Sequence, residues 1–158
     1  MKNYFLLLLS MLLIMFHFNV WASDEKVVTE EVFQKLIPEK LKNLKMKSTT
    51  RSEVQKIWGK PDLTELSRDY YSIAGVKYPV EFTFDRTNRL SKIYYRFVEK
   101  NPPQFESLSL LIGKHPVVDA SKDPGSQGQF FIVKIPERKL ILKFRNNKSK
   151  DLDTLVLE

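Results

Sequence analysis

Up to Pro61 the apolar residues of this chain recur every third or fourth position, and beyond it every second one. That change of period dictates helices first and an antiparallel sheet afterwards, because side chains return to one face about every 3.6 residues in a helix and about every 2 in a strand. Before the change, Val27 to Leu44 carries Val32, Phe33, Leu36, Ile37, Leu41 and Leu44 on one side, with Lys35, Glu39, Lys40 and Lys42 on the other. This predicts an amphipathic helix that Pro38 either kinks or restarts. A shorter helix is predicted after it. Thr50-Arg51-Ser52-Glu53 has the form of a capping box, Val54, Ile57 and Trp58 make the apolar face, and Gly59-Lys60-Pro61 ends the run.

The strand pattern predicts Tyr70 to Ala74, a turn at Gly75, and then Lys77 to Asp85 with Tyr78, Val80, Phe82 and Phe84 on one face. Arg86-Thr87-Asn88-Arg89 is the hairpin connection to Leu90–Phe97, whose inward set is Ile93, Tyr95 and Phe97. Lys100-Asn101-Pro102-Pro103 breaks the chain. A short apolar helix follows over Gln104–Ile112, ending in Gly113-Lys114-His115-Pro116. Then come a loop from Val117 to Gly128 and strands at Phe130–Ile135, Lys139–Arg145 and Leu152–Leu157. Phe84-Asp85-Arg86 recurs as Phe144-Arg145-Asn146 and Leu90-x-x-Ile93 as Leu152-x-x-Leu155, at nearly equal lags. The recurrence favours a duplicated helix-then-three-strand unit over a single α+β domain whose hairpins are merely alike.

Residues 1–22 stand apart from this pattern. Met1-Lys2-Asn3 is a short positive segment, Tyr4 to Phe18 is almost unbroken in apolar character, and Val20-Trp21-Ala22 offers small residues before Ser23-Asp24. A membrane-spanning helix needs about 20 apolar residues, and this run is shorter. The segment is therefore read as a secretory signal peptide cleaved near Ala22-Ser23, an uncleaved anchor being the other reading. Lys2 and His17 leave with it, so the 26 basic groups fall by one against 19 acidic groups, the net charge drops by one from +7, and His115 is the histidine left. The predicted product is periplasmic or secreted. It is organised as a first unit over residues 23–99, with the N-terminal helix, and a second, degenerate unit over residues 100–158.

The chain has 0 cysteines. That excludes a disulfide framework, thiolate-bound zinc or iron–sulfur sites, a cysteine nucleophile and a lipid on an N-terminal cysteine. A domain of this size buries roughly two thirds of its unfolded surface, which suffices without disulfides.

The run from Met46 to Asp62, the tyrosine-bearing strand after it, Phe82-Thr83-Phe84-Asp85 and Leu90-Ser91-Lys92-Ile93 together resemble the SmpA/OmlA (BamE-type) domain. The resemblance covers Leu44 to Phe97 well and Gln104 to Leu157 faintly. It implies an α+β fold of two helix-then-three-stranded antiparallel units sharing one sheet, as in the BLIP-like architecture of β-lactamase inhibitor protein. Ser48 stands where the family usually has a glycine, and no cysteine follows the signal peptide. The lipid tether behind the family's role in outer-membrane assembly is thus missing. The residues that carry the resemblance are structural, and they assign no catalysis.

No pattern points to an enzyme. His115 sits in a turn after a helix and reads as a polar group beside the helix C-terminus. No G-x-S-x-G surrounds any serine, and Ser107, Ser109, Ser121 and Ser126 have no histidine pattern around them. Asp151 with Asp153 and Glu30 with Glu31 read as solvated turn and cap residues rather than acid–base or metal pairs. Gly125-x-x-Gly128 lacks the flanking strand, helix and lysine of a phosphate loop. No catalytic residue, metal ligand, cofactor or small-molecule substrate is expected.

If helices cover one face of the sheet, the other is the candidate binding surface, the alternative being that doublets such as Tyr94-Tyr95 and Phe130-Phe131 only seal the edge between units. Alternation assigns to that surface Lys92, Tyr94 and Arg96, with Glu81 and Thr83. From the second unit come Phe130, Ile132, Lys134, Lys139, Ile141, Lys143, Arg145 and Val156. The partner-binding candidates are Tyr94, Arg96, Lys92, Phe130, Ile132, Lys134, Ile141, Lys143 and Arg145. Aromatic, aliphatic and basic groups in this mixture suit a protein partner of the cell envelope, an inhibited secreted enzyme being a special case. The rival is an anionic lipid or cell-wall polymer bound through Lys and Arg. The lysines from Lys35 to Lys56 are interspersed with Glu39 and Glu53 and read as a solvated face. Export argues against nucleic acid.

Overall fold

The computed structural model describes residues 29–119 and 130–158. The signal segment, the start of the first helix and the Asp123-Pro124-Gly125 loop with Ser121, Ser126 and Gly128 lie outside them. The chain divides between Leu36 and Ile37. Residues 29–36 are helical (α1), supported along their exposed side by Lys35 with Glu31 at 2.6 Å and Gln34 with Glu30 at 2.8 Å, both one helical turn apart.

Beyond Ile37, Pro38 serves as the N-cap of a separate turn of helix, α2 (Glu39–Lys42). Of the two sequence readings at Pro38 the structure has the restart, as expected of a residue that has no N–H to give to a continuing helix. Helix α3 (Arg51–Trp58) carries the capping box in full. Glu53 N–H donates to the Thr50 hydroxyl oxygen, while Thr50 N–H donates to the Glu53 carboxylate at 2.7 Å. Gly59 ends it at φ 88, ψ −165, a region open only to glycine and different from the ordinary left-handed cap.

The strands are β1 (Leu63–Glu65), β2 (Arg68–Ile73), β3 (Val76–Phe84), β4 (Leu90–Arg96), β5 (Val117–Asp119), β6 (Phe130–Ile135), β7 (Leu140–Arg145) and β8 (Leu152–Leu157). They form one antiparallel eight-stranded sheet in the order β1-β2-β3-β4-β8-β7-β6-β5. The expected architecture of two BLIP/BamE-like helix-then-three-stranded units is therefore overturned. Each side of the central β4–β8 ladder has four strands, and the extra ones, β1 and β5, form the two edges. Both are three residues long and exposed throughout, too short and too wet to show an alternating pattern. The second helix also shrinks. Gln104–Ile112 becomes a 3-10 turn (Glu106–Leu108) followed by the four-residue α4 (Ser109–Ile112), closed at Gly113 with φ 54.

The core lies on one face of the sheet. Phe82, Ile93, Leu90, Leu142, Phe144, Leu152 and Leu155 are completely buried, each worth roughly 1.5–3 kcal/mol relative to exposure. Helix α3 packs on this face, with Trp58 edge-on to Phe82 at 5.3 Å between ring centroids. Phe105, just before α4, meets Phe144 on the same side at 5.2 Å.

Asp69 on β2 shares this face, paired across the ladder with Phe82 and fully buried. Arg51, the first residue of α3, grips it through Nη2 at 2.5 Å and Nε at 3.1 Å, while Gln55 and Thr64 donate at 3.0 Å each. Burial pushes this carboxyl up, but the hydrogen bonds from Arg51, Gln55 and Thr64 and the Arg51 charge outweigh it and hold Asp69 below its ordinary value. The group thus stabilises the fold fully above the ordinary carboxylate value of 3.8, and the contribution is lost as pH falls through the lowered value. Asp69→Ala is expected to cost about 3 kcal/mol in urea denaturation at neutral pH and to flatten the acid limb of stability against pH. A variant with an unchanged acid limb would refute this account.

Candidate functional site: the open face of the sheet

The cross-strand register brings all nine candidate residues onto one face. Lys92, Tyr94 and Arg96 come from β4, Phe130, Ile132 and Lys134 from β6, and Ile141, Lys143 and Arg145 from β7. Tyr94 lies opposite Glu81 on one side and Val156 on the other; Val156 lies opposite Ile141, and Ile141 opposite Lys134. A second row runs from Arg96 through Thr154, Lys143 and Ile132 to Val118. Paired residues in a ladder project from the same side, and the core residues occupy the opposite side. Lys139 is not part of this surface. It follows the 3-10 turn Pro136–Arg138 in the left-handed region, φ 49, outside β7.

Tyr78 moves the other way. The sequence pattern places it inward with Val80, Phe82 and Phe84, but it is 44% exposed. Its φ is 59, rarely adopted by a bulky residue, and the β2–β3 register slips between Tyr71 and Ile73. The slip breaks the alternation and sets Tyr78 beside Tyr70, 5.8 Å between centroids. Pro79 was the available signal, since proline inside a strand marks an edge or a bulge. Tyr78, Pro79, Glu81, Tyr94, Arg96 and Lys143 line a shallow groove of about 260 Å³, floored by Thr154 and Val156.

Asp153 is the second residue that pattern reading misplaced. It is not a solvated turn residue but 7% exposed, and it belongs to a bulge in which Lys143 pairs with Thr154 and Phe144 with Leu152. The bulge turns its carboxylate to the open face, where Arg145 Nε donates at 3.0 Å, the Thr154 hydroxyl donates at 2.7 Å and Arg96 Nε lies at 4.0 Å. Two of the predicted basic contacts thus converge on one acid. Lys92 pairs with Glu158 at 2.6 Å, a hydrogen bond that raises its pKa, and Arg68 pairs with Glu81 at 3.5 Å. Lys143 lies over the Phe130 ring, 4.0 Å from its centroid. Four cations of the face thus meet an acid, Arg96 and Arg145 the same one, while Lys134 and Lys143 have no ion pair among the described residues.

His115 Nε2 lies 2.7 Å from Glu137 on the exposed 3-10 turn. Among the described residues no three His, Asp or Glu side chains gather in a way that could hold a metal ion, and no helix is long and apolar enough to cross a membrane.

The fold and this surface define a single-sheet antiparallel domain with one face under helices and one face open. A solved structure shares the fold: YjgB, a DUF4309 family protein from Bacillus subtilis strain 168, is similar over 85% of this chain and 94% of its own, with a TM-score of 0.56 and 17% identity. No protein-family model and no curated protein matches the chain.

Removing the shared acid is expected to unbalance the face. Asp153→Ala should lower stability by about 1 kcal/mol, since its arginine partners are largely solvated, and should lengthen retention on heparin resin. Unchanged retention would mean that Arg96 and Arg145 are not neutralised by Asp153.

Proposed function

We propose that the chain is an exported, non-enzymatic binding protein that recognises a protein partner of the cell envelope through the open face of its sheet. The carrying observation is the groove beside Tyr78 and Tyr94, where aromatic and aliphatic groups lie with Lys143 and with Arg96, which faces Asp153, while Arg68, Lys92 and Arg145 around it pair with Glu81, Glu158 and Asp153. Aromatic residues and arginine at the centre of a surface are the groups enriched at protein interfaces. The same pairing argues against the anionic-polymer reading, because a cation already held by a neighbouring carboxylate adds little to a polyanion. The envelope setting rests on the export signal read in residues 1–22 and on the SmpA/OmlA-like run from Leu44 to Phe97.

The test joins substitution to ionic strength. In a crosslinking pull-down from the native envelope, Tyr94→Ala combined with Ile141→Ala should reduce partner capture about tenfold or more, with the circular dichroism of the variant unchanged. Capture should also persist at 1 M salt, where charge attraction is screened within about 3 Å. Undiminished capture by the double variant would sink the sheet-face assignment. Salt-labile binding to anionic vesicles, with no crosslinked partner, would replace it with the polymer reading.

A further inference from the structure

The positive charge of the open face gathers at one place. Thr154 on β8 lies opposite Arg96 on β4 and opposite Lys143 on β7, and strands spaced about 4.8 Å apart set these two cations on either side of it. Asp153, turned to the same face by the β7–β8 bulge, takes Arg145 at 3.0 Å and lies 4.0 Å from Arg96. Lys143 rests over the Phe130 ring, 4.0 Å from its centroid. Three cations thus surround a single carboxylate, an excess of two positive charges. The acid of the adjoining groove, Glu81, is occupied by Arg68 at 3.5 Å and by the Thr83 hydroxyl at 3.3 Å, so it does not cancel that excess.

Asp153 meets both arginines through Nε. A guanidinium has five N–H donors in a planar fork, and among the described residues no hydrogen bond leaves the Nη groups of Arg96 or Arg145. Arg51 shows the contrast, its Nη groups all committed to the Glu65, Leu66 and Arg68 carbonyls and to Asp69. The side chains of Arg96 and Arg145 are 61% and 47% exposed, so their unused donors are open to a partner. Beside Arg96 the groove offers the apolar surfaces of Tyr78, Pro79 and Tyr94.

We propose that the partner's contact segment carries an acidic side chain next to an apolar one, the carboxylate accepting from the Nη groups of Arg96 and Arg145 and the apolar side chain lying against Tyr78, Pro79 and Tyr94. This rests on the open-face reading and adds the chemistry of the partner to it. Bonds from a guanidinium fork to a carboxylate are charge-assisted and directional, and Asp153 holds both arginines in place, which reduces the side-chain freedom lost on docking. An excess of two charges suits one or two acidic side chains and not the repeated charges of a polymer. A side-chain amide is discriminated against, since it brings donors against donors.

In the full, isotope-labelled protein the Nε–H resonances of Arg96 and Arg145, assigned with Arg96→Gln and Arg145→Gln, should shift saturably with the capped peptide acetyl-Ala-Phe-Glu-Ala-amide. The same peptide with Gln in place of Glu should bind about tenfold more weakly. Combining Arg96→Gln with Arg145→Gln changes two exposed side chains and should abolish the difference between the peptides, while Lys60→Gln, an exposed cation just after α3, should preserve it. Salt at 1 M should narrow the difference and leave the apolar contact. No saturation with the Glu peptide, equal binding of the Gln peptide, or a difference retained by the double variant would each overturn the proposal. Inorganic phosphate shifting the same resonances at concentrations as low as the Glu peptide would also overturn it, since the site would then take any oxyanion. The crosslinking pull-down separates this inference from the open-face reading, with the arginine double variant expected to lower capture several-fold. Full capture by that variant beside lost capture by Tyr94→Ala with Ile141→Ala would remove the acidic segment and leave the face, whereas full capture by both would remove the face as well.

Discussion

The antiparallel pairing of β4 with β8 is the interaction on which the rest of the structure depends. Four residue pairs, from Ile93 with Leu157 to Arg96 with Thr154, join strands that lie far apart in sequence. They make one sheet of two hairpin-linked sets. Every other strand pairs with a sequence neighbour, and such local ladders close short loops at small entropic cost. The β4–β8 ladder closes the long loop and therefore needs the strongest compensation. Ile93 and Leu155 are completely buried there, and Tyr95 nearly so. The same ladder carries the open face across the middle of the molecule, since Tyr94 and Val156 lie opposite one another.

Bulges then decide what that face presents. A regular ladder would keep strict alternation, and each irregularity moves particular side chains. The slip in β2–β3 exposes Tyr78, and the one in β7–β8 brings Asp153 to Arg145 and Arg96. A third, between Thr83 and Phe84 in β3–β4, leaves Ser91 to donate its hydroxyl to the Thr83 carbonyl at 3.0 Å. Two of the three thus change the chemistry of the open face, which fits the general placement of bulges where a side chain must be re-aimed.

This explains what the sequence made legible and what it did not. The capping box at Thr50 could be read because its signal is local, two side chains and two N–H groups within four residues. The period-two runs in β3, β4, β6 and β7 could be read because each buries alternate residues on one side. The edge strands β1 and β5 escaped, being too short for a period and unburied on both sides. The architecture was misjudged for the same reason, since two missing edge strands turn four-stranded sets into three-stranded ones. Within the candidate surface, alternation placed all nine named residues on one side, but it could not foresee that the charges of Lys92, Arg96 and Arg145 are answered. The partners Asp153 and Glu158 reach them through a bulge and a chain end that no period describes.

The two faces of the sheet are consequently different kinds of surface. On the open side four of the bases meet acids across strands, so much of the specificity there has to come from shape and from the rings of Tyr70, Tyr78 and Tyr94. On the covered side the matching is complete around Asp69, where Arg51, Gln55 and Thr64 satisfy one carboxylate, and incomplete one helix-length away, at Trp58. Both sites are reached from α3, one from its first residue and one from its last. The helix is fixed at its N-terminal end by the buried ion pair and lies on Phe82 and Tyr71 at its C-terminal end through ring contacts. Ring contacts of this kind leave the indole N–H unsatisfied, whereas an ion pair of the Arg51–Asp69 type leaves nothing over.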